Sequence, residues 1–578
     1  MSYSEKRNQR GRNAGGQGRQ LLLTFEETEI NCCEGATVAG ALVAGGVREF
    51  RESTDGYRGL YCGMGICQEC LVTIDGVPGY RACTTPAKNG MRVTRQPAKI
   101  ALRPTAGPRA DEQAAVTVEE PQVLVVGGGP AGLNAAITAS EAGADVVLLD
   151  ERGQAGGQYF KQPAVPTVPG LERDQQFAAG SLLIERAHEA GVDIRSRSIV
   201  WGGFPGPEIH VASDKKPVVL RPSKLIVASG AYERGHVVPG WTLPGVMTTG
   251  AAQTLLRVSG VIPPGRILVA GNGPLNLQVA LELARAGAQM TGLVESAPRP
   301  GLRHAAAAVS MLFTAPRLTF TGIGMVAALR HQHVPTFYGH VVNQVTRVDE
   351  TLVVELVRLD GEAGDAIHLE VDAVCLGYGF HPDNELLRLL GCGYDFDPQR
   401  DQMVMRRDAD CRTTVADIFA IGDCVGTGGA AVAAADGVIA GLAAARECGF
   451  TCDNRIERTA RRELTRHRRF QAALWSLYDP AGSFSTPTMP DTIVCRCENI
   501  SSKTLDAAID AGCDTLGAVK HKTRLGMGPC QGRYCVPVAL SQLASRRGRA
   551  PEEFDTVAPR PPLRPLSLAE LGGDWTDD

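Results

Sequence analysis

Between residues 21 and 100 apolar and polar positions alternate in short runs, "LLLTFEE" and "CLVTIDG" among them, on either side of a glycine- and cysteine-rich loop. A period of two marks a half-buried strand, so this stretch predicts a small mixed-sheet domain. From Pro121 the period changes. A short apolar run ends in a glycine turn and opens into a long alanine-rich helix, and the same succession returns near Gly265 in "GRILVAGNGPLNLQVALELARAGAQMTGLVES", about 145 residues further on. Two such strand–turn–helix–strand units predict tandem nucleotide-binding-type lobes over 121–450, the second across about 262–345. A last strand-and-turn signal, "TTVADIFAIGDC", closes this block near residue 424. The arginine-rich run 455–470 reads as a solvated helix face and places a helical connector over 451–490, ending in a Pro/Ser/Thr loop at 479–490. A short cysteine-bearing unit follows at 491–545. Residues 1–20 read as a disordered tail, 101–120 as a linker without periodicity, and the Pro-rich 546–578 as a second tail. The fold class is therefore α/β multidomain: a two-lobed Rossmann-like core with a small domain at each end. The linker predicts that the N-terminal domain folds independently of the core.

Composition narrows the possible functions. At 44% hydrophobic, 21% charged and a net charge of −4, the chain of 578 residues is an ordinary globular protein with no global reason to bind nucleic acid. The N-terminus lacks an apolar stretch that could serve as a secretory signal. The most apolar segments, 36–47 and 428–445, are too short for a membrane span or carry an Asp, so a cytoplasmic protein without a membrane span is expected. Contact with a membrane would come through an electron acceptor. In that compartment 17 cysteines do not make a disulfide framework.

Eight of them are spaced for metal. Cys62, Cys67, Cys70 and Cys83 follow C-x4-C-x2-C-x12-C, the plant-type spacing for a [2Fe–2S] cluster, and Gly63 and Gly65 let the loop wrap tightly with its N–H groups inward. Cys495, Cys497, Cys530 and Cys535 follow C-x-C-x32-C-x4-C in basic surroundings, where Arg496, Lys520, Lys522, Arg524 and Arg533 could offset thiolate charge. A structural zinc also accepts four thiolates, and spacing leaves that alternative open. The other nine cysteines read as small core residues.

In "VLVVGGGPAGLNAAITASEAGADVVLLDE", Gly127, Gly129 and Gly132 form G-x-G-x-x-G between strand and helix, and Asp150 and Glu151 end the next strand at the distance of a ribose contact. The helix N-terminus can hold a pyrophosphate. Two further stretches point to FAD: "VASGAYE", which contains Gly230, and "IFAIGDC", with Gly422 and with Asp423 suited to the ribityl–phosphate end. The second lobe matches less well. Gly271 and Gly273 are in place, but Asn276 stands where Gly or Ala would allow close packing, and Glu295 is its candidate ribose acid. NAD(P), another ligand or no ligand are the alternatives there. No C-x-x-C occurs between 121 and 480, which disfavours disulfide reduction. The histidines of "HQH" (331–333) read as surface residues.

With these stretches, "DERGQAGGQ" including Gln158, "PGWTLPGVMTTGAAQTLL" and "VCRCENIS…TRLGMGPCQGRYC", the chain resembles the large subunits of flavin-dependent amine and imino-acid dehydrogenases. These are the opine oxidase A family, with the B subunit of hydrogen cyanide synthase and the α subunits of sarcosine oxidase and dye-linked proline dehydrogenase. Residues 21–100 look like the small ferredoxin-like subunit of such complexes, here fused, and 491–545 is similar to a BFD-like [2Fe–2S] domain. The resemblance implies FAD, two [2Fe–2S] clusters, NAD or ATP as alternatives for a dinucleotide site, and an FMN at a subunit interface. It also implies a β subunit of the D-amino-acid-oxidase type with its own flavin, which performs the C–N oxidation, and an external acceptor such as a quinone, dye or electron-transfer protein. Oxidation of a CH–NH or CH–NH2 donor releases two electrons and a cluster takes one, so a flavin between two single-electron stations is the expected layout. No catalytic acid or base is expected in this chain. The alternatives are a self-contained NAD(P)H-dependent reductase and a redox-sensing or assembly subunit.

Overall fold

The computed structural model describes residues 19–100, 116–163, 174–213, 217–359, 366–479 and 489–567. In the N-terminal unit the strands Thr28–Cys33, Gln20–Phe25, Arg92–Arg95, Leu71–Ile74 and Val77–Arg81 form one five-stranded sheet in that spatial order, with a single parallel pair, Gln20–Phe25 beside Arg92–Arg95. Leu21, Leu23 and Phe25 point inward and the residues between them outward, as the alternation requires. The helix Val38–Ala44, capped by Thr37 Oγ1 accepting from Gly40 N (3.1 Å), covers one face.

Each lobe of the core is built on a five-stranded parallel sheet. In the first the order is Asp193–Arg195, Val146–Leu149, Val123–Val126, Lys224–Val227 and Ile418–Ala420. Its central strands are buried on both faces, which is why they read as unbroken apolar runs. The helices Pro130–Glu141 and Ala430–Glu447 lie against each other through small residues: a Cβ on Gly437 would sit 2.2 Å from the Ala131 carbonyl oxygen, and one on Gly441 2.5 Å from that of Ala135. Asp436, the charge inside this apolar helix, is buried against Arg407 Nη2 at 2.7 Å. The second lobe runs Val246–Thr248, Ala373–Gly377, Arg266–Gly271, Gln289–Glu295 and Thr336–Tyr338. Two of its strands therefore come from outside 262–345. Both are short and fully buried, so they carry no alternation to announce them.

The expected helical connector is the helix Asn454–Leu477, which starts on an Asp453 cap. Its apolar stripe, Ala460, Leu464, Phe470 and Ala473, is buried, and its arginines are largely solvated. At the C-terminus a two-stranded ribbon, Ile493–Cys495 with Ile500–Ser501, leads into the helices Ser502–Asp510, Leu516–Thr523 and Cys535–Arg547. Residues 1–18, 101–115, 480–488 and 568–578, where the N-terminal tail and most of the linker, the Pro/Ser/Thr loop and the end of the second tail were expected, lie outside the described residues. The described end of the linker contains the strand Thr117–Glu119. The C-terminal segment is held as far as it is described: Leu563 is buried, its N–H donates to Trp201 O (2.7 Å), and Arg564 pairs with Asp383 (2.7 Å).

The N-terminal unit is not separate from the rest, and the expected independence is overturned. Leu23, Leu42 and Val72 share one apolar core with Ala251, Leu255, Ile267 and Val279 of the second lobe. Tyr61 and Ile66 share another with Trp241, Leu268 and the C-terminal Leu505, Leu516 and Leu540. The surface that carries the cysteine loop is apolar and large, so it is buried rather than solvated. The fit is close: a Cβ on Gly63 would lie 2.8 Å from Ala251 Cα. Among the described residues no helix is long and apolar enough to cross a membrane.

Candidate functional site

A cavity of about 790 Å³ runs from the first lobe into the second. At its first-lobe end the loop after Val123–Val126 turns sharply. Gly127 has φ 109°, and a Cβ there would meet the Ala228 carbonyl oxygen at 2.3 Å, so this turn can pack against the neighbouring strand end only with glycine in this place. Gly127, Gly129, Asp150, Glu151, Gln158, Gly230, Gly422 and Asp423 all line the cavity. Gly132 stands behind the loop, where a Cβ would be 1.8 Å from Gly127 O, and serves packing. The N-termini of Pro130–Glu141 and Ala430–Glu447 open onto the cavity, with Pro130, Ala430 and Ala431 in its wall, so two sets of free N–H groups face it. Asp150 accepts from Gly128 N (3.0 Å) and Arg152 N (2.8 Å), and burial pushes its carboxyl up to about 6. Asp423 accepts from Gly428 N (2.9 Å) and Gly429 N (3.0 Å); burial raises it as well.

Deeper in, Lys161 Nζ donates to Gly250 O (2.9 Å) while Glu233 accepts from Gly250 N (2.9 Å). Burial pulls Lys161 down and pushes Glu233 up. Nothing about Lys161 in the sequence marks it; Glu233 lies inside "VASGAYE" and was within reach.

The N-terminal thiols Cys62, Cys67, Cys70 and Cys83 are all buried. They meet in pairs, Cys62 with Cys67 and Cys83, and Cys70 with Cys83. Although burial raises Cys62, hydrogen bonds from Cys67, Cys83 and the Met64 N–H bring it well below the ordinary thiol range. The loop turns through left-handed Gly63 (φ 63°), Gly65 (φ 83°) and Gln68 (φ 58°), the last held by its side chain donating to Gly65 O (3.0 Å). At the C-terminus Cys495 pairs with Cys535 and Cys497 with Cys530. Bonding from Cys535 and nearby N–H groups holds Cys495 at about 7. Gly528 is required there: a Cβ would lie 2.1 Å from that of Cys497. Among the described residues no three His, Cys, Asp or Glu side chains form a group that would hold one ion. All 17 cysteines are free.

The two thiol sets are neighbours, so the expected layout with a flavin between them is corrected. Tyr61, next to Cys62, meets the ring of Tyr534, next to Cys535, at 5.3 Å, and that of Trp241 at 5.6 Å. Arg496, between Cys495 and Cys497, lays its guanidinium 3.9 Å from the Tyr61 ring centroid and 4.6 Å from that of Trp241. It donates to Trp241 O (2.8 Å) and pairs with Glu69 (3.3 Å), the neighbour of Cys70, which also holds Arg51 (2.9 Å) and Arg58 (3.6 Å). Tyr61 Oη, Tyr534 Oη, Arg496 Nε and Arg533 Nη2 are buried without a partner among the described residues. Such donors beside thiol sets are what an anionic cluster would satisfy. Of the five basic residues expected near the second set, Arg496 and Arg533 are buried; Lys522 and Arg524 are exposed, with Arg524 paired to Glu498 (2.7 Å). Met64 of the first loop lines the cavity, and among the described residues none of the C-terminal helices does. Pairing across sequence ends is a tertiary fact, which no local pattern carries.

In the second lobe Asn276 replaces a small residue for a reason. Its Nδ2 donates to Gly377 O (2.7 Å) and its Oδ1 accepts from Thr249 Oγ1 (2.8 Å), tying three strand ends together. Glu295 accepts from Gly273 N (3.0 Å), Ala297 N (2.9 Å) and Asn272 Nδ2 (3.1 Å) and is pushed up to about 7 by burial. The candidate ribose acid is thus engaged inside the protein.

Three family models match the chain: pyridine nucleotide-disulphide oxidoreductase over residues 121–438, a 2Fe-2S iron-sulfur cluster binding domain over 18–98 and a BFD-like [2Fe-2S] binding domain over 493–545. Among curated proteins, opine oxidase A of Agrobacterium tumefaciens (strain Ach5) is 33% identical over 466 residues, covering 78% of this chain and 91% of that one. The HcnB subunit of hydrogen cyanide synthase from Pseudomonas aeruginosa is 29% identical, with 77% and 97% covered. The α subunit of sarcosine oxidase from Corynebacterium sp. (strain P-1) is 26% identical, with 96% of this chain but 56% of that one covered. Among solved structures, L-proline dehydrogenase from P. horikoshii superposes with a TM-score of 0.71 at 20% identity, covering 97% of this chain and 99% of that one, and so shares the fold.

Proposed function

Because the chain belongs to the pyridine nucleotide-disulphide oxidoreductase family, with opine oxidase A among its relatives, we propose that it is the electron-transfer subunit of a heteromeric FAD-dependent amine, opine or imino-acid dehydrogenase. The chain has a flavin-binding fold and two [2Fe–2S]-binding domains. When bound, FAD would accept electrons in pairs and release them singly, and each cluster would carry one at a time.

The observation that carries the reading is the contact between the two thiol sets, with one of them reaching the cavity wall through Met64. A disulphide reductase of this family would need a redox-active cysteine pair within 121–480, and no C-x-x-C occurs there. In this proposal Gly127, Gly129, Asp150, Glu151, Gln158, Gly230, Gly422 and Asp423 hold FAD, with Gly132 behind them. Cys62, Cys67, Cys70 and Cys83 hold one cluster, and Cys495, Cys497, Cys530 and Cys535 the other. The buried aromatic rings and Arg496 keep water out and fix the spacing of the two sites. Relatives are named as subunits, which supports a partner. We take it to be a β subunit of the D-amino-acid-oxidase type that oxidises the C–N bond, with FMN at the interface and a quinone, dye or electron-transfer protein as final acceptor. A cytoplasmic location is part of the same proposal. Unlike Asp150, Glu295 is not in the cavity wall, and Asn272 beside it donates its Nδ2 to Tyr478 O (3.0 Å), which weighs against a nicotinamide nucleotide in the second lobe and so against a self-contained NAD(P)H reductase.

The test is anaerobic reduction of the flavin in two preparations. Bleaching by an amine or imino acid only when the β partner is present, with iron and acid-labile sulfide in the amounts two [2Fe–2S] clusters require, is expected. Rapid bleaching of the isolated chain by NADH would overturn the proposal.

A further inference from the structure

The helices Ala305–Thr314 and Pro316–His331, joined at Ala315, carry an outer surface unlike the rest of the molecule. Leu302, just before them, is 96% exposed, Phe313 85% and Phe320 63%, with Val309 also more than half exposed. Soluble proteins seldom leave so many large apolar side chains together in water.

The charge around them has one sign. No Asp or Glu occurs between Glu295 and Asp349. Arg299, Arg303, Arg317 and Arg330 are exposed and, among the described residues, make no ion pair. Elsewhere arginines are routinely matched, as with Arg257 and Glu282, Arg266 and Asp372, or Arg412 and Glu447. The nearest acid in sequence, Glu295, is buried and bonded internally. The helix packed against this pair, through Phe470 and Ala473 on Met311 and Ala315, belongs to a segment with seven arginines and two glutamates over 455–470. The inner face of the pair, with Met311, Leu318, Ile323 and Met325, lines the cofactor cavity.

We propose that residues 302–331 form a peripheral membrane-docking element whose occupant is the surface of a bilayer containing anionic lipid. Large apolar side chains among cations, without acids, are what an interfacial helix presents: the side chains enter the headgroup–acyl boundary while the arginines meet lipid phosphate. A bilayer supplies diffuse negative charge and hydrocarbon together, which matches arginines that have no fixed partners. The association is peripheral, since no described helix is able to span. Docked this way, the apolar wall of the cavity lies beside the hydrocarbon, where a lipid-soluble acceptor would be found. The inference stands on the surface itself and does not depend on which amine is oxidised.

The experiment is vesicle flotation of the full chain, alone and in complex with its partner subunit, using vesicles of phosphatidylcholine with and without an equal share of phosphatidylglycerol. Both preparations are expected to float with the anionic vesicles and to stay behind with phosphatidylcholine alone at the same ionic strength. Phe313→Ser with Phe320→Ser, and separately Arg303→Gln with Arg317→Gln, should each reduce bound protein roughly tenfold or more. None of these four residues lines the cavity, and unchanged flavin content reports an intact fold. Absence of flotation by the unaltered chain, or flotation indifferent to both double variants, would overturn the proposal. So would flotation of the chain alone but not of the complex, together with partner release by the Phe variant, because the occupant would then be the partner subunit.

Discussion

Arg496 is a buried cation whose only carboxylate among the described residues, Glu69, is shared with Arg51 and Arg58. With Asp55 on Arg58 (2.7 Å), three guanidinium groups meet two carboxylates, and the remaining positive charge beside the thiol sets favours the reduced, more negative form of a bound cluster. Arg496→Gln should therefore lower both cluster potentials, by about 70 mV for a unit charge at roughly 10 Å and an effective dielectric near 20. Arg496→Lys should recover most of that shift, because the charge returns even though the planar stack does not. Redox titration followed by electron paramagnetic resonance reads both, with iron content as control. Asp150 gives a prediction of opposite kind. Burial lifts it to about 6, against the opposing Arg152 charge and the N–H groups of Arg152 and Gly128. In the FAD-free chain its contribution to stability is full below its unfolded value near 3.9 and is lost as pH rises through about 6, a fall on the order of 3 kcal/mol. Asp150→Asn should flatten that fall in denaturant midpoints measured across the window and at the same time weaken retention of FAD. The acid that costs the empty fold stability is the one placed to meet a ribose.

At the scale of elements, the helices Pro130–Glu141 and Ala430–Glu447 touch backbone to backbone, and their free N-termini are aimed by that contact. A side chain on Gly441 must push the Ala135 carbonyl away, since the intruding atom meets backbone rather than a flexible side chain. Gly441→Val should cost about 1–3 kcal/mol by overpacking and should release FAD disproportionately, because Ala430 and Ala431 move with the helix. Thermal unfolding with and without added FAD separates the two effects. The element level is also where the sequence was most informative. The alternation in Gln20–Phe25, the glycine turn after Val123–Val126 and the alanine-rich helices announce their structures because each obeys a local period. Val246–Thr248 and Ala373–Gly377 escaped notice because three to five buried residues have no period to show. Asn276 looked like a defect in a glycine motif. It is a bridge to Gly377 and Thr249, residues remote in sequence, and only the folded lobe reveals the compensation.

At the scale of the whole molecule the eight cysteines were legible one set at a time, from spacing alone, while their contact through Tyr61, Tyr534 and Arg496 was not. The same holds for domain independence. A linker rich in proline and charge suggests separable units, yet separability is decided by the surfaces that the linker joins. Here the N-terminal unit covers Ala251, Leu255 and Val279 on one side and packs Tyr61 edge-to-face against Trp241 and Tyr534 on the other. Removing residues 1–115 would expose both apolar surfaces and strip Arg496 of both Glu69 and the Tyr61 ring that covers it. The truncated chain 116–578 is therefore expected to aggregate, or to be recovered without the C-terminal cluster and with little FAD. Recovery of a soluble monomer that keeps full flavin and a native C-terminal cluster signal would show that the shared cores do not matter to either site. A milder form of the same argument applies to Cys67→Ser. Loss of the first cluster leaves the chain intact but loosens the loop on which Tyr61 and Met64 ride, so the C-terminal cluster's resonance should shift and flavin should bind more weakly, where independent domains would leave both untouched.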